Sequence, residues 1–327
     1  MKILITGGAG FLGQRLARAL LDRGQLASGG ARHDIAQLVL VDVVPAHDFD
    51  DPRVRVVTGD IADGALMRRV LGPDIEVVFH LAAIVSGQAE ADFELGMRIN
   101  LDASRLLLEV CRECGHVPTV VFTSSVAVYG GQLPALVLDD TALNPQSSYG
   151  AQKAIGELLL NDYSRRGYVD GRVLRLPTIS VRPGQPNRAA SSFASGIIRE
   201  PLNGLPSVCP VAPDLPLWLL SPRRAVAALL AGCELPAATL GRSRTVNLPG
   251  LAVTVGQMVA ALATVAGTEV AARVSFAPDP AVERIVRSWP AAWDSTRGLA
   301  LGLEADRDIE ALISAYIEDE LHEGAAA

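Results

Sequence analysis

"KILITGGAGFLGQRLARALLDRG", residues 2–24, sets an apolar run, a glycine-rich turn and an amphipathic pattern in immediate succession. Ile3, Leu4 and Ile5 are continuous rather than alternating, as in a strand buried on both faces. From Phe11 onward, Leu12, Leu16, Ala19 and Leu20 recur at helical spacing. Between the two stand Gly7, Gly10 and Gly13. Gly7 permits the tight turn, Gly10 lets the backbone approach a pyrophosphate, and Gly13 lets helix and strand pack closely. The helix N-terminus, at Phe11 and Leu12, then offers free N–H groups and a partial positive charge to phosphates. Strand before and helix after supply the context that a glycine-rich loop alone lacks.

Outward from this unit the chain repeats the same alternation. Valine-rich strands are expected at 38–44, 54–60, 76–83 and 119–125, with helical patterns between most of them. A further strand, 172–178, follows a helix that opens near Tyr149. This predicts a doubly wound α/β fold around a parallel sheet, with an NAD-binding Rossmann domain over residues 1–177. Residues 178–327 are richer in proline and predict a smaller α+β substrate-binding region, segments of which can return to the sheet. Within it, Thr254 is the expected N-cap of a helix over "VGQMVAALATVAG". The insert "QLASGGARHDIAQ" (25–37) is expected to be a flexible surface loop.

Gross composition excludes several classes. The 327 residues are 49% hydrophobic and 20% charged, which suits a compact domain rather than a disordered one. A net charge of −7, without a Lys/Arg-rich tract, argues against a nucleic-acid partner. No apolar run approaches the ~18–20 residues that span a bilayer. The N-terminal apolar run is shorter than a secretory h-region, so a cytoplasmic location and no membrane partner are expected. Cys111 and Cys114 form a C-x-x-C, but inside a helical pattern and without further paired ligands, so no metal site is expected.

Asp42 ends the second Rossmann strand, where a carboxylate can accept hydrogen bonds from adenosine ribose hydroxyls and would repel a 2′-phosphate. NAD is therefore expected over NADP. Later in the chain Tyr149 and Lys153 stand four residues apart, on one face of a helix.

With these motifs the chain resembles the extended branch of the short-chain dehydrogenase/reductase superfamily. The resemblance rests on T-G-x-x-G-x-x-G at 6–13, Gly59-Asp60-Ile61, "HLAA" at 80–83, Asn100, "SSVAVYG" at 124–130 and Y-x-x-x-K at 149–153, in family order. It implies that Ser125, Tyr149 and Lys153 are catalytic. Ser125 would hydrogen-bond the reacting hydroxyl, and Tyr149 would take its proton as hydride leaves for the nicotinamide. Lys153 would hold the nicotinamide ribose. A free tyrosine titrates near ~10, and the lysine and the oxidised nicotinamide would lower that value. The resemblance also places Asp60 and Ile61 near the adenine, and Leu81, Ala82 and Ala83 along the diphosphate and ribose. Asn100 joins the cofactor set, and Pro177 to Ile179 approach the nicotinamide. A homodimer through helices at about 100–114 and 149–165 is implied as well.

Departures from the superfamily narrow the reaction. Dehydratases follow the catalytic hydroxyl residue with an Asp-Glu pair; here Val126 and Ala127 cannot transfer protons. A nucleotide-sugar 4-epimerase with tightly bound NAD stays open, since it needs only the same three residues. However, the segments that hold nucleotide-sugars are replaced by "TISVRPG" (178–184) and "SPRRAV" (221–226). Stretches 182–204, 208–226 and 288–303 are similar to a narrower subgroup, the D-erythronate dehydrogenases. That similarity implies NAD-dependent oxidation of a small sugar acid at C2 to a 2-oxo-tetronate. Its carboxylate needs a cation, for which Arg182, Arg188, Arg199, Arg223 and Arg224 are available. Arg182, Ser86 and Thr178, with Ser125 and Tyr149, are the expected substrate contacts.

Overall fold

A computed structural model describes residues 1–186 and 188–321. The opening stretch forms β1 (Lys2–Thr6) and α1 (Phe11–Arg23), with Gly24 closing the helix in the left-handed region. There follow β2 (Gln25–Ser28), β3 (Ala31–Asp34), β4 (Gln37–Asp42), β5 (Val54–Thr58), α2 (Gly64–Val70) and β6 (Ile75–His80). Two short helices, α3 (Ser86–Ala91) and α4 (Phe93–Gly96), run through a π-helical stretch (Met97–Asp102) into α5 (Ala103–Cys114). Then come β7 (Thr119–Ser125), α6 (Ser148–Arg165) and β8 (Asp170–Leu176).

Seven strands pair in parallel, in the order β5-β4-β1-β6-β7-β8 and finally a strand from much later in the chain. That last strand is Thr245–Asn247, registered as Thr245↔Val173 and Asn247↔Arg175. The continuous apolar runs are explained by two cores, one on each face. Ile3 and Ile5 pack with Leu16 and Leu20 on one side, and Leu4 with Leu107, Val120 and Phe122 on the other. Each such fully buried Leu, Ile or Phe contributes on the order of 1.5–3 kcal/mol.

The expected surface loop at 25–37 is instead a β-hairpin, with Gln25↔Asp34 and Ser28↔Ala31 paired. Gly29 and Gly30 both have positive φ, as a two-residue primed turn requires. Only Leu26 of the hairpin reaches the core, so its pattern carries no strand-like apolar period.

Beyond the Rossmann unit lie β9 (Thr178–Ile179), α7 (Phe193–Leu202), β10 (Ser207–Cys209) and β11 (Pro216–Leu220). After them come α8 (Pro222–Glu234), α9 (Ala237–Leu240), β12 (Thr245–Asn247), β13 (Leu251–Thr254) and α10 (Val255–Ala266). β9, β11 and β13 make a small sheet over a third core of α7, α10 and the helix Ile309–Tyr316. α10 starts on a capping box between Thr254 and Gln257. α8 and β12 pack on the Rossmann sheet, so the two halves of the chain interleave. No described helix is long and apolar enough to cross a membrane.

Candidate active site

The carboxyl ends of β1, β4, β6, β7 and β8 converge on one cleft, the topological position at which doubly wound sheets bind ligands. The first turn after β1 shapes its floor. Gly7 has φ +73°, and a Cβ on Gly13 would stand 2.2 Å from the Gly7 carbonyl oxygen, so only glycine allows α1 to start there. Asp42 closes the turn from the side: Oδ2 accepts from the Ala9 N–H at 3.0 Å and Oδ1 from its neighbour Val43.

Two cavities adjoin along this floor, sharing Gly7, Gly10, Leu81 and Ala83. One, of about 340 Å³, takes in Asp42, Asp60, Ile61 and Ala82. Here burial tends to raise the Asp60 carboxyl, but Arg98 Nη1 at 2.5 Å and the Ala62 N–H hold it below its ordinary value. Arg98 carries no motif and was missed in the sequence. The second cavity, of about 440 Å³, continues past Phe11, Leu12 and Gly13 to Ser125, Tyr149 and Lys153. Its far wall holds Ser86, Pro177, Thr178, Ile179 and Arg182, with the Trp289 side chain from the C-terminal segment. The glycine turn, the free first turn of α1 and the Asp42 carboxylate together fit an adenine dinucleotide.

Asn100 lies outside the lining of both cavities. Its amide is spent on structure: Oδ1 accepts from Ile84 N, while Nδ2 donates to Ile84 O and to Gln152 Oε1. It thereby pins the chain after β6 to the helix carrying Tyr149 and Lys153.

That helix is seated by close approach. Ser147 caps α6 by accepting from Gly150 N, and a Cβ on Gly150 would lie 2.1 Å from Ala127 O. The missing side chain lets the first turn of α6 abut the end of β7, where Ser125 and Tyr149 line one cavity and the serine hydroxyl favours the ionised phenol. Lys153, only 2% exposed, places Nζ 4.6 Å from the Phe122 ring centroid and 5.8 Å from that of Tyr149.

Electrostatics differ here from the expectation for a lysine-activated tyrosine. Burial pushes Tyr149 up to about 12, while Ser125 and Arg182 pull it back. Burial also pushes Lys153 down to about 7, against the attraction of Glu157. Desolvation penalises both charged forms at once, so the protein's own groups keep the phenol protonated at neutral pH. Neighbouring His80 is pushed down to about 3 by burial and by Lys153. Its ring stays neutral between Thr6 Oγ1 at 2.7 Å and Ser104 Oγ at 2.9 Å.

Of the five candidate arginines, only Arg182 lines the cleft. It has no carboxylate partner among the described residues: its guanidinium donates to Ser191 Oγ at 3.3 Å. Burial and then Arg199 push it down to about 10, so it stays a cation at neutral pH. Arg199 is committed to Glu200, Arg223 to Glu318 and Asp319, and Arg224 to Glu304, while Arg188 is exposed. Ser86 and Thr178 are buried in the wall, and Ser86 Oγ also accepts from Ala190 N. The described residues contain no cluster of potential metal ligands. Cys111 packs in the core, and Cys114 Sγ donates to Leu71 O at 3.3 Å.

A cation for an anionic group therefore faces a hydroxyl-and-amine cluster across one small cavity, beside a dinucleotide cradle. Comparison with known proteins bears on the same point. Residues 3–219 match the NAD dependent epimerase/dehydratase family. The chain is 66% identical over 319 residues to a D-erythronate dehydrogenase of Cupriavidus necator, covering 98% of each chain. It is 46% identical to one of Haemophilus influenzae, covering 97% of this chain and 99% of the other. A solved structure of a nucleoside-diphosphate-sugar epimerase from Agrobacterium tumefaciens superposes with a TM-score of 0.92 at 41% identity, covering 98% of this chain and 95% of that one.

Proposed function

The chain belongs to the NAD dependent epimerase/dehydratase family and is an oxidoreductase; on that premise we propose that it oxidises D-erythronate at C2 to the 2-oxo-tetronate with NAD⁺. The observation that carries the reading is the half-buried Arg182, without a carboxylate partner among the described residues, facing Ser125, Tyr149 and Lys153 across one cavity. A short aldonate has one carboxylate, and Arg182 is the cation that lines this wall. The identity to proteins named D-erythronate dehydrogenase supports the same choice.

The dinucleotide would lie on Gly7 to Gly13, with its ribose on Asp42 and its adenine against Asp60 and Ile61. Bound NAD⁺ supplies the hydride acceptor for the hydrogen on C2. Arg182 holds the carboxylate through charge-assisted hydrogen bonds and so fixes which carbon faces the nicotinamide side of the cavity. Ser125 orients the C2 hydroxyl toward Tyr149, which takes its proton as the C–O bond becomes a carbonyl. Lys153 holds the nicotinamide ribose and adds the positive charge that the phenolate needs. Asn100, Ile84 and Gln152 keep that helix in place.

Purified protein with NAD⁺ and a panel of C4 aldonates should show growth of the NADH absorbance band, strongest with D-erythronate. No growth with any aldonate, together with turnover of a nucleotide-diphosphate sugar, would overturn the reading in favour of an epimerase. Asp42→Asn should weaken NAD⁺ binding about tenfold, the value of one hydrogen bond to a charged group. It should narrow the gap to NADP⁺ by a similar factor. Isothermal titration with both cofactors measures this, and an unchanged ratio would remove Asp42 from the ribose site.

The reading extends to a homodimer and a cytoplasmic location. Ile155 and Leu158 leave 40% and 68% of their surface exposed on α6, which supports pairing of two copies there. Four free cysteines, three of them buried, suit a reducing compartment.

A further inference from the structure

Behind the reacting face of α6 lies an ionic cluster that the reaction above does not use. Glu157, one turn beyond Lys153, is 2% exposed. Arg175 on β8 grips it with two arms, Nη2 to Oε2 at 2.6 Å and Nε to Oε1 at 2.9 Å. Ser124, next to Ser125 at the end of β7, donates its hydroxyl to Glu157 Oε1 at 2.5 Å. Arg175 also donates to the Tyr129 hydroxyl, which in turn donates to Asn247 Oδ1 on β12 at 3.0 Å. Two strands, β7 and β8, thus clamp one carboxylate, and Tyr129 and Asn247 brace Arg175 from behind.

A buried ion pair is a poor device for stability, because desolvation offsets most of the attraction. Its position suggests a different use. The groups that face Lys153 are Tyr149 and Glu157 from α6, the Phe122 ring from β7 and His80 from β6. Arg182 faces Tyr149 from the opposite wall. Among these, His80 is neutral and Arg182 is positive, so Glu157 is the one negative charge acting on the lysine among the described residues.

We infer that Glu157 is a positioning residue: braced by Arg175 and Ser124, its carboxylate keeps a fully buried Lys153 an ammonium and ties the strand end bearing Ser125 to the helix bearing Tyr149. Burial drives the lysine toward the neutral amine, and Glu157 opposes it, in accord with this role. The inference rests on the nicotinamide-dependent reading of the cleft but not on which sugar acid is oxidised.

The test is NADH affinity by fluorescence titration from pH 5.5 to 9, which needs no substrate. In the unaltered protein affinity should fall as pH rises through about 7, as the ammonium that holds the ribose is lost. In Glu157→Gln the midpoint should move down by about one pH unit or more, the effect of removing one nearby opposite charge. At pH 7 the affinity is then about fivefold lower, while at the acid end it is unchanged. Because that variant leaves Arg175 buried without a counter-charge, Glu157→Gln/Arg175→Met removes both charges and should still displace the midpoint downward, by less than the single substitution because the two opposite charges partly cancel at the lysine. Glu157→Asp, which keeps the charge, should restore it. A flat wild-type profile, or a wild-type midpoint in either folded variant, would overturn the inference. A purely structural brace would lower affinity equally at every pH. Absence of aldonate turnover would refute the proposed substrate while leaving these binding curves fully readable.

Discussion

Tyr149→Phe is expected to reduce turnover about 10³-fold, within the range that a positioned acid–base group contributes, while NADH affinity stays nearly unchanged. The phenyl ring keeps the packing at the start of α6, and only the proton acceptor is lost. The pH dependence gives the sharper signature. Tyr149 is pushed up to about 12 by burial, against Ser125 and Arg182. The base form in oxidation is the phenolate, so kcat at saturating cofactor should rise with pH through the neutral and alkaline range. The residual rate of the phenylalanine variant should not follow that rise. Initial rates from pH 6 to 10 decide it. Turnover that survives the substitution, or a variant that keeps the wild-type slope, would remove Tyr149 from the proton-transfer role.

Arg182→Met is expected to raise KM for D-erythronate about 100-fold with a smaller effect on kcat. Two charge-assisted hydrogen bonds to a carboxylate are worth together about 3 kcal/mol, and ~1.4 kcal/mol is tenfold. Methionine keeps the length of the side chain without the charge. A neutral four-carbon polyol, lacking the carboxylate, should be an equally poor substrate for variant and wild type, and this comparison separates lost recognition from a disturbed cavity. An unchanged KM for the acid would place its carboxylate elsewhere and remove Arg182 from substrate binding.

The features legible in the sequence share one property: their parts are close along the chain. Gly7, Gly10 and Gly13 span a single turn between a strand and a helix, and the clash that a Cβ on Gly13 would make involves Gly7 itself. Tyr149 and Lys153 are one helical turn apart. Strand burial on both faces shows as uninterrupted valine and isoleucine. The features that were not legible depend on distant partners. Arg182 looks like four other arginines until Glu200, Glu304, Glu318 and Asp319 are seen to take three of them. Trp289 lines the cavity that holds Ser125, Tyr149 and Lys153 from more than a hundred residues beyond Tyr149. The hairpin at 25–34 leaves no apolar period in the sequence because it buries one leucine and is held by its backbone pairing. Asn100 carries a family motif, yet its contacts with Ile84 and Gln152 make it a strut rather than part of the cleft wall.

By itself, then, the sequence determined the doubly wound α/β class and marked the glycine turn and the three side chains proposed to react, because backbone geometry and i, i+4 spacing are local physics. Only the tertiary structure decided which of the five arginines lines the cleft, how far burial moves Tyr149 and Lys153, and that Glu157 stands behind them on Arg175. Charge state and desolvation are set by everything within several ångströms, and in this fold those neighbours come from β7, β8, β12 and the loop after β9.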